Sequence, residues 1–195
     1  MSKFKPLVAL LDYQAGNIKS VENALKYSGS EVIVTSDPDV IDRANAIVFP
    51  GQGSCVSSMA NIKSKGLDLS IKKSIASGKP FLGVCLGLQL LLETSEEGDT
   101  ECLGIIEGKV KRFQDGLKIP HMGWNEITFS DHKLFDNCEE GSDFYFVHSF
   151  SFNAKENDNV LTTTDYEQVK FTSIVTDNYN VYGTQFHPEK SQTSG

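Results

Sequence analysis

Short, almost wholly apolar runs alternate with amphipathic segments through the first half of the 195-residue chain. Leu7 to Leu11 and Glu31 to Thr35 read as strands. Between them, the stretch AGNIKSVENALKYSG sets Ile18, Val21, Ala24 and Leu25 on one helical face, with Gly29 just past its end. NAIVFPG is a third strand and GKPFLGV a fourth, and Val56 to Ser77 supply helical material between them. Continuous apolarity, without strict alternation, suits parallel strands covered on both faces. After about residue 104 the pattern changes to strands and turns, with strands expected at Ile105 to Arg112, Asn125 to Phe129, Phe144 to Val147, Val160 to Thr164, Phe171 to Val175 and Val181 to Phe186. Neither a repeat nor a Pro/Gly/Ser-rich linker separates the halves. The pattern predicts one α/β domain over residues 1–195: a mixed, mainly parallel central sheet flanked by helices and extended by antiparallel strands.

Composition narrows the setting. A hydrophobic content of 39% can close one core of this size. The net charge of −8, from 26 acidic and 18 basic residues, leaves no broad basic face and argues against nucleic acid or an anionic membrane as partner. The apolar run near the start ends at Asp12 without a signal-peptide pattern, and no run approaches the roughly 18 residues of a membrane span, so a soluble cytoplasmic protein is expected. Cys55, Cys85, Cys102 and Cys138 are widely spaced, with no C-x-x-C pair or Cys/His cluster. They are expected to be free thiols, and neither a metal nor a cofactor is expected.

Cys85 stands apart from the other three because it sits in FLGVCLGLQLL, where an apolar strand gives way to a helical run. In G-x-S-x-G hydrolases the nucleophile occupies a sharp strand-to-helix turn, with glycines two residues either side because a Cβ there would collide with the turn. Gly83-Val84-Cys85-Leu86-Gly87 has that spacing, with sulfur in place of oxygen. The start of a helix would also favour the thiolate. A thiol nucleophile needs a base, and His187, in GTQFHPEKS, follows the last strand. Glu189, two residues on, can hold the imidazole tautomer across the stiff Pro188. Cys85, His187 and Glu189 thereby take the roles of nucleophile, base and orienter. The oxyanion of acyl transfer needs donors. The Leu86 N–H and the Gln52 peptide of the Pro50-Gly51-Gln52-Gly53 turn are the candidates.

Together PGQG, GVCLGLQLL and HPEK resemble the class I (triad) glutamine amidotransferase family, whose Cys-His-Glu triad releases ammonia from glutamine on a flavodoxin-like fold. The resemblance runs along nearly the whole chain. Within the family, DYQAGNIKSV, IPHMGWNEI, FYFVHSFSF and QFHPEKS are most similar to the glutaminase subunits of imidazole glycerol phosphate synthases in histidine biosynthesis. The resemblance implies that Gly51, Gln89 and Glu97 surround the amino-acid head of glutamine, and that Ser149 and Phe150 receive its carboxylate. It implies that Asn17, Met122, Trp124 and Lys190 lie on or near a face that docks onto a (β/α)8 synthase subunit in a heterodimer. It also implies a final helix beyond the SQTSG at which this chain stops.

The residues by themselves leave those roles open. Gln89 lies one helical turn beyond Cys85 and could face solvent, Glu97 could be a surface acid, and Trp124, the only tryptophan, would otherwise be placed in the core. His121 and His148 have no carboxylate close in sequence and read as structural or interfacial. Alternatives to the synthase subunit are a paralogue feeding ammonia to another acceptor, such as a surface-polysaccharide sugar, a noncatalytic docking module, or a cysteine peptidase on the same fold.

Overall fold

The computed structural model of the protein describes residues 5–14, 16–114, 116–129, 132–136, 138–139, 141–154 and 157–195. The first half builds β1 (Leu7–Leu11), α1 (Ile18–Tyr27), β2 (Glu31–Thr35), α2 (Pro38–Arg43), β3 (Ala46–Phe49), α3 (Cys55–Ser64), α4 (Leu67–Ala76), β4 (Phe81–Val84) and the single turn α5 (Leu86–Gln89). The later strands are β5 (Thr94–Ser95), β6 (Thr100–Glu101), β7 (Lys109–Arg112), β8 (His121–Glu126), β9 (Thr128–Phe129), β10 (Asp143–His148), β11 (Phe150–Ser151), β12 (Val160–Tyr166), β13 (Val169–Thr176) and β14 (Val181–Thr184). The main sheet has eight strands in the order β2-β1-β3-β4-β14-β13-β12-β9. Its first five are mutually parallel and the rest antiparallel. That is the mixed sheet expected from the run of apolar strands.

Burial on both faces explains the continuous apolarity. From β1, Ala9 and Leu11 enter a core with Ile41, Phe49, Ile71 and Phe81, while Val8 and Leu10 enter another with Val21, Val48 and Val84. A third core, rich in phenylalanine, includes Phe113, Phe144, Phe146, Phe171 and Phe186 and lies beneath the antiparallel half. Helix α1 ends as its sequence suggests. Gly29 has φ +93, and the N–H groups of Gly29 and Ser30 donate to Lys26 and Leu25 carbonyls. Ala15, at the head of the predicted helical stretch, lies outside the described residues.

Several element boundaries differ from the sequence expectation, each for a tertiary reason. The helical run after Cys85 lasts one turn, because Leu90, Leu91 and Leu92 leave the helix and their carbonyls accept from the N–H groups of Leu103, Ile105, Ile106 and Gly104. Those same bonds take Ile105 and Ile106 out of the predicted strand, which begins only at Lys109. The strand expected at Asn125 to Phe129 is two pieces. β8 pairs with β10, then buried Ile127 carries the chain across to β9, which pairs with β12. Helix α2 has a signal that periodicity passes over in so short an element: Asp37 caps it by accepting from Asp39 N–H at 2.9 Å, with Pro38 in the first turn.

The register of the main sheet positions the chemistry. β14 runs parallel to β4 with Thr184 opposite Val84, so Cys85 and the Gln185–His187 segment leave adjacent strands at the same, C-terminal edge. That edge is where open α/β sheets bind ligands.

Candidate active site

Cys85 sits in the turn between β4 and α5 at φ 54, ψ −110, and its N–H donates to Thr184 O at 2.7 Å. A non-glycine residue held there costs on the order of 1–3 kcal/mol, stored where the surroundings over-determine it. The flanking glycines supply the room. A Cβ on Gly87 would lie 1.9 Å from the Phe49 carbonyl oxygen, and one on Gly83 would meet three atoms at 3.0 Å. Gly87→Ala should therefore cost about 3 kcal/mol or more, above the usual range for overpacking, and Gly83→Ala about 1–2 kcal/mol. Urea denaturation midpoints check the order; equal losses would mean that the elbow backbone yields freely. Because α5 is one turn long, the expected support of a helix start shrinks to the first N–H groups of that turn.

His187 is buried, and its backbone N–H donates to Tyr145 O at 2.9 Å. Its Nδ1–H donates to Glu189 Oε1 at 2.8 Å, and the same oxygen accepts from Asn17 Nδ2 at 2.9 Å. Ser191 Oγ donates to the His187 carbonyl at 2.7 Å and closes the short turn that begins at Pro188. Burial by itself would lower the imidazole pKa, but hydrogen bonding and charge from Cys85 and Glu189 outweigh it and hold the pKa up at about 9. The ring is thus protonated at neutral pH; its Nε2 is buried and meets the Cys85 sulfur too loosely to close a full hydrogen bond. A proton held there, beside the sulfur, is placed for delivery to a leaving amine.

A cavity of about 530 Å³ opens over Cys85 and His187. The turn after β3 forms one wall, with Gly51 and Gln52, and Leu86 lies beside it. The two turn glycines do different work. A Cβ on Gly51 would come within 2.5 Å of Gly87 N, so Gly51 permits close approach, whereas Gly53 takes φ +105. The Tyr13 hydroxyl donates to Pro50 O and anchors the turn; burial pushes its phenol pKa well up. Gln89, Glu97, Ser149 and Phe150 line the same cavity. Gln89 does not face solvent. It is buried, and its Nε2 donates to Phe150 O and to Gln185 Oε1, both at 3.0 Å. Glu97 is more than a surface acid: its Oε2 accepts the Cys55 N–H at 3.0 Å and caps α3, whose Ser54 side chain makes no capping bond.

The four residues expected on a docking face divide. Met122 and Trp124 project from β8, with Trp124 47% exposed, contrary to the core placement its residue type suggests. Lys190 lies 5.9 Å over the ring of Tyr145, which packs edge-on to Trp124. Asn17, at the left-handed start of α1, makes no helix cap and spends its amide on Glu189. His121 and His148 form a buried pair, Nδ1 to Nε2 at 3.0 Å, and His148 Nδ1 donates to Phe150 O at 2.8 Å. Burial pushes their pKa values down to about 4 and about 3, so both are neutral structural groups.

Sequence reasoning passed over Gln185, whose amide Nε2 donates to Cys85 Sγ at 3.7 Å. The signal was present: beyond a strand, residues two apart share a face, so Gln185 accompanies His187. Among the described residues no group of three His, Cys, Asp or Glu side chains could hold a metal ion, and no helix is long and apolar enough to cross a membrane.

Known proteins resemble this arrangement at two levels. Among solved structures, one titled "Structure of PurLQS from Thermotoga maritima" superposes with a TM-score of 0.70 over 96% of this chain and 89% of that one, at 20% identity, a likeness of fold. Among curated proteins, the imidazole glycerol phosphate synthase subunit HisH of Dehalococcoides mccartyi (strain CBDB1) is 45% identical over 97% of this chain and 92% of its own length. The subunit of that name from Acinetobacter baylyi is 45% identical over 96% and 93%. Residues 9–195, which hold the elbow, the base and the cavity between them, match the family described as glutamine amidotransferase class-I, and the chain belongs to that family.

Proposed function

We propose that this chain is the glutaminase subunit of an imidazole glycerol phosphate synthase, hydrolysing L-glutamine to glutamate and ammonia in the cytoplasm and passing the ammonia to a (β/α)8 cyclase subunit in histidine biosynthesis. In this reading residues 1–195 form one glutaminase domain. The observation that carries the chemistry is Cys85, on a strained elbow, facing the cavity beside a His187 that Glu189 holds in one tautomer. The Cys85 sulfur attacks the side-chain amide carbonyl of glutamine, and the oxyanion is met by the N–H groups of Leu86 and of the Gln52 peptide. His187 Nε2 gives its proton to the departing ammonia, leaving a thioester. It then takes a proton from water, whose attack releases glutamate and restores the thiolate.

Gln89, Gly51 and Glu97 surround the amino-acid head and Ser149-Phe150 take the carboxylate, with Asn17, Met122, Trp124 and Lys190 at the docking face. The relatives that are 45% identical over nearly their whole length carry the synthase subunit's name, which favours this acceptor over a sugar. The test is isotope transfer. With glutamine labelled by 15N at the side-chain amide, this chain plus a cyclase subunit and the phosphoribulosyl substrate is expected to give labelled imidazole glycerol phosphate. Labelled ammonia released to solvent without labelled product would sink the synthase assignment.

A further inference from the structure

The amide of Gln185 links Cys85 to Gln89, two residues that line the cavity, and its two hydrogen bonds run in one direction. The residue is fully buried, and its backbone N–H donates to Ser173 O at 2.8 Å, which fixes where its side chain starts. Gln89 Nε2 donates one hydrogen to Phe150 O and the other to Gln185 Oε1, both at 3.0 Å. With Oε1 so engaged, the Gln185 Nε2 end donates to Cys85 Sγ at 3.7 Å, and as a thiol the sulfur in turn donates to the Val147 carbonyl at 3.9 Å, a bond that is given up when it ionises.

Turning the Gln89 amide over would set its oxygen against two acceptors, the Phe150 carbonyl and Gln185 Oε1. Gln89 is therefore locked with both amide hydrogens used inside the protein, and its Oε1 is left to act as an acceptor. The Phe150 carbonyl also receives the His148 Nδ1 hydrogen at 2.8 Å, so this corner holds donors and acceptors in a fixed pattern. Turning Gln185 over would present an oxygen to the sulfur and a second donor to the nitrogen of Gln89, which breaks both contacts at once.

We propose that Gln185 is a positioning residue that couples the two ends of the reaction: it stabilises the Cys85 thiolate by donating to it, and by the same orientation it locks Gln89 to present an acceptor to the substrate. The amide N–H to sulfur contact is charge-assisted in the thiolate and weakens once the sulfur is acylated and loses its charge, so Gln185 favours the attacking state over the thioester. This rests on the glutaminase reading for its substrate arm only; the contact with the sulfur is independent of what the substrate is.

The test uses the complex with its cyclase subunit and pairs Gln185→Met, which keeps side-chain length without donor or acceptor, with Gln89→Met and the double variant. Gln185→Met should raise KM for glutamine about tenfold, the effect of one lost hydrogen bond near a charged group. The double variant should have the KM of Gln89→Met alone, because Gln185 acts on the substrate through Gln89. The second readout is the pH profile of Cys85 alkylation by iodoacetamide, a neutral reagent with no amino-acid head. Gln185→Met should slow alkylation at pH 7 by about 3–10-fold and move the profile to higher pH, while Gln89→Met, which frees the Gln185 oxygen but leaves its amide hydrogens able to reach the sulfur, should slow it less. Gln185→Asn, which keeps an amide but falls short of both partners by one methylene, should reproduce both effects and serves if the methionine variant does not fold. An unchanged alkylation profile, or KM effects that simply add in the double variant, would overturn the proposal. A wild-type complex inactive on glutamine would sink the substrate reading instead, and the alkylation arm would still decide the thiolate contact.

Discussion

Replacing Cys85 by alanine is expected to lower glutamine hydrolysis by about 10⁴–10⁶-fold, the scale seen when the nucleophile of a triad is removed, while the complex still makes product from added ammonium salt. The two outcomes belong together. In the proposed mechanism the sulfur forms the covalent bond, whereas the cavity, the Leu86 N–H and the proposed docking face do not depend on it. Cys85 lines the cavity, whereas Cys55 and Cys102 are buried against each other, 3.6 Å apart, and Cys138 lies by the phenylalanine-rich core. A glutamine-derived diazo-ketone should accordingly label Cys85 and spare the other three thiols. Glutamate formation and ammonium-dependent synthesis are measured side by side, with the labelled peptide found by mass spectrometry. Residual glutaminase activity above background in Cys85→Ala, or label on another thiol, would remove Cys85 from its role.

The second large effect is expected from the partner rather than from a mutation. The isolated chain should hydrolyse glutamine about 10²–10³-fold more slowly than the complex holding its acceptor substrate, the cost of one missing oxyanion donor being roughly 2.7–4 kcal/mol. Such a difference requires two settings of the turn after β3. Pro50 is anchored by the Tyr13 hydroxyl and Gly51 is wedged against the elbow, while Gly53, at φ +105, meets nothing within 4 Å of its Cβ direction. The Gln52 peptide between them can turn its carbonyl or its N–H toward the thiol, and only the second completes the oxyanion hole. A partner needs to favour that orientation by only a few kcal/mol. Its route to the site is short. Asn17, expected on the docking face, donates directly to Glu189, and the side chain of Gln52 lies close to the neighbouring Gly16. Steady-state turnover of the chain alone, with the cyclase, and with cyclase plus acceptor measures the effect. Full turnover by the isolated chain would refute the gating and leave the triad standing.

Much of this was legible in the residues because it depends on local constraints. Gly83 and Gly87 around Cys85 announce a turn too tight for a Cβ, and the clash of a Gly87 Cβ with Phe49 O is the physical form of that signal. His187 and Glu189 are two residues apart across a proline, so their pairing needs no distant partner. Apolar strands without alternation foretell a sheet covered on both faces, and the two cores on either side of β1 bear this out.

What only the tertiary structure decided involves residues far apart in sequence competing for one donor or acceptor. The helix after Cys85 stops after a turn because the carbonyls of Leu90 to Leu92 find N–H groups at residues 103–106, a choice that no window around Cys85 contains. Asn17 looks like the start of a helix, yet its amide goes to Glu189, 172 residues away. Trp124 is an aromatic residue whose type suggests the core, yet it stands exposed on β8, which among the described residues pairs with β10 in a two-stranded sheet, with Tyr145 edge-on beside it. The Cys85 elbow, the His187–Glu189 pair and the sheet could be read from spacing, since spacing limits what the backbone can do. The direction of the Gln89–Gln185–Cys85 chain could not, because an amide's orientation is set by which buried groups surround it in space, and that is known only once the strands have been brought together.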